Sequence, residues 1–141
     1  MQEGYVKFPG IIIGDTHVIE RTVRQEDTAG NFWKTDVGDL LSTPSLIAYM
    51  MEAAGDLIDS KLPEGFISVG KSAEVTHEQP SVVGATVSVK VEIKSFDGYH
   101  IRVKMTATDD SGIIGRGSHV RSIVNKKWLL IKLNKRMTNL K

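Results

Sequence analysis

Between residues 86 and 107 apolar and polar side chains alternate with a period of two. Val87, Val89, Val91 and Ile93 interleave with Ser88, Lys90, Glu92 and Lys94, and a second run carries Tyr99, Ile101, Val103, Met105 and Ala107. Successive side chains on a strand point to opposite faces, so each run predicts a strand with one face buried. Asp97-Gly98 between them predicts a tight two-residue hairpin. A further turn at 109–112 leads into IIGRGSHVRSIVN, where Gly115 and Gly117 predict a bulge or a close approach by another backbone or a ligand. Upstream, THVIERTVR predicts a strand over 16–24 and QEDTAGN a turn.

A different period rules residues 43–60. Thr43-Pro44 is a helix-start signal, because proline at the first helical positions lacks only an N–H that has no partner there anyway. At 100° per residue, Leu46, Ile47, Met50, Met51, Ala53, Ala54, Leu57 and Ile58 fill a broad apolar sector. Ser45, Tyr49, Glu52, Asp56 and Asp59 form the opposite polar stripe. Such a helix is buried over more than half its surface. The segment FISVGKSAEVTHEQP then predicts a strand from residue 66, with Ile67, Val69, Lys71, Ala73, Val75 and His77 on one face. Strand, long apolar helix and four hairpin-linked strands make an α+β domain, a curved antiparallel sheet wrapped around one central helix.

Composition narrows what such a domain does. A chain of 141 residues fits a single domain over 1–141, with 1–15 a lead-in segment and 126–141 a basic C-terminal extension. That extension, NKKWLLIKLNKRMTNLK with its leading Asn125, either prolongs the last strand or docks as a short helix, in preference to a cationic membrane contact. The absence of cysteine excludes disulfides, thiolate nucleophiles, zinc–thiolate sites and iron–sulfur clusters. A net charge of +1 argues against a dedicated nucleic-acid binder. No run approaches the roughly 18 apolar residues of a membrane span, and MQEGYVKFPG has no signal-peptide pattern, so a cytoplasmic protein with no membrane partner is expected. His17, His77, His100 and His119 lack zinc-site spacing, and the glycines of IIGRGSH precede no helix of a phosphate-binding loop.

LSTP before the helix, ISVG and VTH in the following strand, Pro80 and Gly84 after it, and IGRGSHVR near the end occur together over residues 16–125. In order and spacing this set resembles the hotdog-fold thioesterases, in particular the branch that includes the fluoroacetyl-CoA thioesterases. The resemblance implies a homodimer, with pairing into a tetramer left open, whose sheets join edge to edge and whose acyl-CoA sites lie at the interface near the helix N-termini. It implies hydrolysis of a thioester to a free acid and coenzyme A, the latter present only as part of the substrate, with no other cofactor.

The family's catalytic group is a Thr before the helix, a Glu eight residues on and a His in the next strand. Thr43 and His77 match two of these, but the Glu position holds Met51, and Glu52 is rotated about 100° from it into the polar stripe. A thioether is neither a useful base nor a nucleophile here. His77 reads as a core histidine or as a general base, Thr43 as an N-cap or a substrate contact beside free helix N–H groups. Gly70 reads as a strand bulge or as the family's glycine whose N–H polarises the carbonyl. Met51 is a pocket-wall position, and His119 and Arg121 are a strand pair or lie beside the site. The residues leave two functions open: a thioesterase, weakened by the missing carboxylate, or a non-catalytic acyl-CoA binder.

Overall fold

The computed structural model describes residues 8–140. Helix α2, Thr43–Asp59, lies on one face of a five-stranded antiparallel sheet made of β1 (Thr16–Thr22), β2 (Phe66–His77), β3 (Thr86–Phe96), β4 (His100–Asp109) and β5 (Gly112–Asn125). The spatial order is β1-β3-β4-β5-β2, so β1 and β2 are the edges. The expected α+β arrangement of a sheet around one long helix is the one observed. Its core is the helix residues Leu46, Met50, Ala53, Ala54, Leu57 and Ile58 against the inward valines and isoleucines of β3 and β4, all 0–4% exposed. A short helix α1, Ala29–Phe32, and a 3₁₀ turn at Gln25–Asp27 occupy the stretch expected to be a plain turn, and β1 stops at Thr22 rather than Arg24. In the lead-in segment, Phe8 and Ile11 are buried against the core, and residues 1–7 lie outside the described residues.

Several local expectations change. Ser42, not Thr43, caps α2: its hydroxyl accepts from the Ser45 N–H at 3.1 Å, and Thr43 and Pro44 open the first turn. Ser45 and Tyr49 are buried rather than on a solvent stripe. The Tyr49 hydroxyl donates to Asp27 Oδ2 at 2.6 Å, and Asp27 also accepts from the Arg24 N–H, tying the segment before the helix to its second turn. Burial, reinforced by that carboxylate, raises the Tyr49 phenol above its ordinary pKa. The β3–β4 loop is longer than the expected two residues: Phe96 pairs with Ile101, and Asp97 Oδ1 accepts from the Tyr99 and His100 N–H groups. Tyr99 is therefore in the loop and exposed instead of inward.

Strand β2 departs furthest from a simple alternation. A bulge between Gly70 and Ser72 shifts its register against β5, so Lys71 has no partner of its own. An extra residue flips the side-chain faces. Phe66, Ser68 and Gly70 share the helix side with Ala73, Val75 and His77, whereas Ile67, Val69 and Lys71 do not, contrary to the expected single face. Gly115 and Gly117 mark close approaches, the second of the two expectations. A Cβ at Gly115 would lie 2.8 Å from Leu46 Cδ2 and 3.1 Å from the Thr76 carbonyl; one at Gly117 would lie 2.6 Å from the Glu74 carbonyl.

The C-terminal extension forms helix α3, Lys126–Asn139, capped by the Asn125 side chain, and none of its residues is buried. The docked helix expected from the sequence is therefore not docked on its own chain. The Gly117 contact gives the first testable outcome. Gly117→Ala is expected to lower stability by about 1–3 kcal/mol in urea denaturation, because the obstructing atom belongs to the β2 backbone and cannot rotate away.

Candidate active site

The capping by Ser42 leaves the hydroxyl of Thr43 free, and it faces β2. Thr43 Oγ1 and His77 Nδ1 are 2.8 Å apart, joining the first turn of α2 to the last residue of the strand. Thr43 is exposed and His77 partly buried, with the imidazole Nε2 buried and without a hydrogen-bond partner. Burial pushes the His77 pKa below 6.5, with the Gln79 backbone opposing the shift. The ring is therefore neutral at pH 7, with one nitrogen a donor and the other an acceptor. If Thr43 donates to Nδ1, the proton resides on Nε2. If Nδ1 donates to Thr43, Nε2 keeps the lone pair. In both cases the solvent-facing atoms of the pair are on the Thr43 side.

The helix end is less rich in free donors than the sequence suggests. Pro44 has no N–H, that of Ser45 goes to the Ser42 hydroxyl and that of Leu46 to the Ser42 carbonyl at 3.0 Å. Within this turn the Thr43 N–H is the donor left to face a substrate, together with the positive end of the helix dipole.

A second cluster surrounds Gly70. A Cβ there would meet Met51 Cε at 3.1 Å, His119 Cε1 at 3.3 Å and Arg121 Nη1 at 3.8 Å. His119 is 1% exposed, and its Nδ1 lies 2.8 Å from the Ser72 carbonyl, which only accepts. Nδ1 therefore carries the proton, and Nε2 accepts from Arg121 Nη1 at 3.1 Å. Arg121 also donates to Ser68 through Nε at 2.7 Å and Nη2 at 2.9 Å, and the Ser68 hydroxyl donates to Asp59 at 2.7 Å. Burial lowers the His119 pKa, opposed by the Ser72 hydrogen bond and assisted by the Arg121 charge. This chain of contacts rivets the bulge of β2 to β5 and to the end of α2. The sequence offered His119 and Arg121 as a strand pair or site neighbours, and their hold on the bulge was not legible there.

The five residues singled out from sequence thus fall into two groups. Thr43 meets His77, while Met51, Gly70 and Arg121 meet one another around His119. Thr43 and Met51 are eight residues apart on α2, roughly 12 Å along its axis. Glu52 belongs to neither group, since it pairs with Arg21 of β1. Among the described residues no group of three or more His, Cys, Asp or Glu side chains is placed to hold a metal. No described helix is long and apolar enough to cross a membrane. A surface hollow of about 350 Å³, lined by Val18, Lys90, Glu92 and Lys104 among others, is on the outer face of the sheet and contains no candidate residue.

The sequence profile of the fluoroacetyl-CoA-specific thioesterases matches residues 23–127, a span that contains both groups. The chain belongs to that family. It is 28% identical over 87 residues to the fluoroacetyl-CoA thioesterase of Streptantibioticus cattleyicolor, a match covering 62% of this chain and 63% of that relative. The chain thus matches less than two thirds of this relative's length. Its structure is similar to a hot-dog-like protein from Thermanaerovibrio acidaminovorans, at 29% identity and a TM-score of 0.85 over 90% of this chain and 93% of that one. A fluoroacetyl-CoA thioesterase variant in complex with acetyl-CoA superposes with a TM-score of 0.82, at 21% identity over 89% and 98% of the two chains. The fold is the hotdog fold, and at the level of the family the chain is thioesterase-like.

The buried His119 imidazole and the partly buried His77 imidazole carry a pH dependence. Each has a folded-state pKa below the ordinary 6.5. As pH falls through 6.5 the unfolded chain takes up protons first, so stability is lost until the folded-state values are passed, below which the penalty is constant. The urea midpoint is expected to fall between pH 7 and pH 5, and His119→Gln is expected to flatten that slope. Asp97, held down to about 2 chiefly by the His100 and Tyr99 N–H groups, acts only at lower pH and leaves this window unaffected.

Proposed function

We propose that the protein hydrolyses an acyl-CoA to a free acid and coenzyme A, as a homodimer and without a further cofactor. The observation that carries this reading is the 2.8 Å contact of Thr43 with a neutral, partly buried His77 at the start of a buried helix. With the ring proton on Nε2, His77 Nδ1 accepts the Thr43 hydroxyl proton while Thr43 Oγ1 takes one from an attacking water, so the proton passes from water to the ring through Thr43. The new C–O bond forms as charge develops on the carbonyl oxygen, which the Thr43 N–H and the helix dipole stabilise together with the Gly70 N–H of a second copy. The C–S bond then breaks, and the imidazolium returns the proton through the Thr43 hydroxyl to the departing CoA thiolate.

The separation of the two residue groups favours a site completed between subunits. Pairing of β2 with β2 of a second copy, running antiparallel about a two-fold axis, sets the His77 end of one strand against the Phe66 end of the other. Thr43 and His77 of one chain then approach the Met51–Gly70 cluster of its partner. A non-catalytic acyl-CoA binder is the second reading, favoured by one observation: the side chain packed on Gly70 is the apolar Met51.

Steady-state hydrolysis of acyl-CoAs of graded chain length decides between them. Wild-type turnover is expected, with His77→Ala lowering kcat/KM by about 10²–10⁴-fold, the range of a lost general base. Met51→Glu is expected to raise kcat. Binding of acyl-CoAs with no turnover of any of them refutes the enzyme reading in favour of the binder, and turnover untouched in His77→Ala refutes the base assignment.

A further inference from the structure

Helix α3 presents a surface that no other described residue of its own chain covers. Leu130, Leu133, Met137 and Leu140 recur at spacings of three, four and three, which sets them on one helix face, and all four are 48% exposed or more. Six of the 18 Lys and Arg residues lie in 126–141, and none of the 17 Asp and Glu residues does, so residues 1–125 carry a net negative charge of five. The stripe therefore needs a partner that is apolar and acidic. Packing α3 on α3 of a second copy would cover the leucines but bring like charges together.

An acidic, apolar surface exists at the far end of the same sheet. The chain after β2 runs through Pro80–Val83, and Val82 forms a β-bridge with Leu40. On one side of that bridge a hollow of about 240 Å³ is lined by Pro80, Val82, Asp109 and Asp110 among others; on the other, one of about 220 Å³ is lined by Asp36, Val37, Asp39 and Leu40. Val37, Val82 and Val83 are exposed. Lys34 is the cation in the adjoining loop, leaving the surface net negative.

Within one chain the two surfaces cannot meet. α3 begins beside Phe66, where the Lys126 N–H donates to the Gly65 carbonyl at 2.9 Å, whereas the acidic surface follows His77. The 12 residues of β2 between them span about 40 Å, and the 14 residues of α3 reach about 21 Å. Antiparallel β2–β2 pairing removes that distance, because it brings the Phe66 end of each strand to the His77 end of the other.

We propose that α3 of each subunit docks, leucine stripe inward and lysines outward to the aspartates, on the surface formed by Val37, Val82 and Val83 with Asp36, Asp39 and Asp110 of its partner. The inference rests on the β2-paired homodimer of the functional reading and goes beyond it. The two contacts are equivalent by the two-fold symmetry, and each chain clamps the other at the end where the partner's Thr43 and His77 lie.

The cysteine-free sequence makes the test direct. Differently tagged Leu133→Cys and Val83→Cys chains, co-expressed and treated with a short bis-maleimide, are expected to give the mixed-tag cross-linked dimer. Lys132→Glu/Lys135→Glu/Arg136→Glu is expected to raise the dimer dissociation constant at least tenfold in sedimentation equilibrium, and Asp36→Lys/Asp39→Lys/Asp110→Lys in the same chain to restore it. A dimer that forms without the cross-link and ignores the charge reversal overturns the docking alone. A wild-type monomer at micromolar concentration overturns the paired-edge dimer and the docking with it. In a Trp33→Phe background, Trp128 fluorescence that shifts only on adding phosphatidylglycerol vesicles overturns it in favour of a lipid surface.

Discussion

The contact on which the site depends is the one at Gly115, where the Leu46 side chain of α2 reaches two strands at a position where β5 has no side chain. A Cβ there would lie within 2.8 Å of Leu46 and 3.1 Å of the Thr76 carbonyl. Leu46 follows Thr43 by three residues, Thr76 precedes His77, and Gly115 is itself the register partner of His77. The missing methyl lets the first turn of the helix settle onto the strand pair, and the hydroxyl-to-imidazole contact follows from that height. The hydrophobic burial of Leu46 and Met50 supplies the force, and the glycine sets how close it brings them.

The same helix also acts as a spacer. Its N-terminus carries Thr43, its middle carries Met51 over Gly70, and its last residue, Asp59, anchors Ser68 and through it Arg121. The two residue groups remain apart within one chain. β2 threads both groups and is a sheet edge, with Lys71–Glu74 exposed. Long free edges are pairing surfaces unless they are blocked or covered. A function that needs both groups therefore depends on what pairs with this edge.

The parts governed by a single period were legible from the residues. The alternation in β3 and β4 and the apolar sector of α2 gave the architecture, because burial decides those positions one residue at a time. Contacts over long sequence separations were not legible. Gly70 marked the place of the β2 bulge, as one of its two readings had it, but what holds the bulge is His119, 47 residues from the Ser72 carbonyl it binds. Tyr49 looked solvent-facing until Asp27, 22 residues upstream, took its hydroxyl inward. Thr43 and Ser42 are both good caps, and a sequence cannot say which hydroxyl turns to the backbone. That choice matters, because the hydroxyl left over is the one that reaches His77. The leucines of α3 promised a docked helix, but among the described residues none of the helix is buried.

The structure also explains how the fold accommodates Met51 at the position where the resemblance implied a carboxylate. Removing one partner of a buried charge pair usually leaves the other uncompensated, at a cost of about 3–5 kcal/mol. Here Arg121 is already engaged by His119, by Ser68 and, through Ser68, by Asp59. Its charge does not depend on residue 51. Met51 can therefore replace an acid without stranding a cation, and its methyl closes over Gly70, where a charged group would have to be solvated. Scaffold and chemistry are decoupled at this position. The cluster that shapes the bulge is complete without a carboxylate and stands apart from the Thr43–His77 pair, whose neutral imidazole is in the protonation state that the proposed base requires.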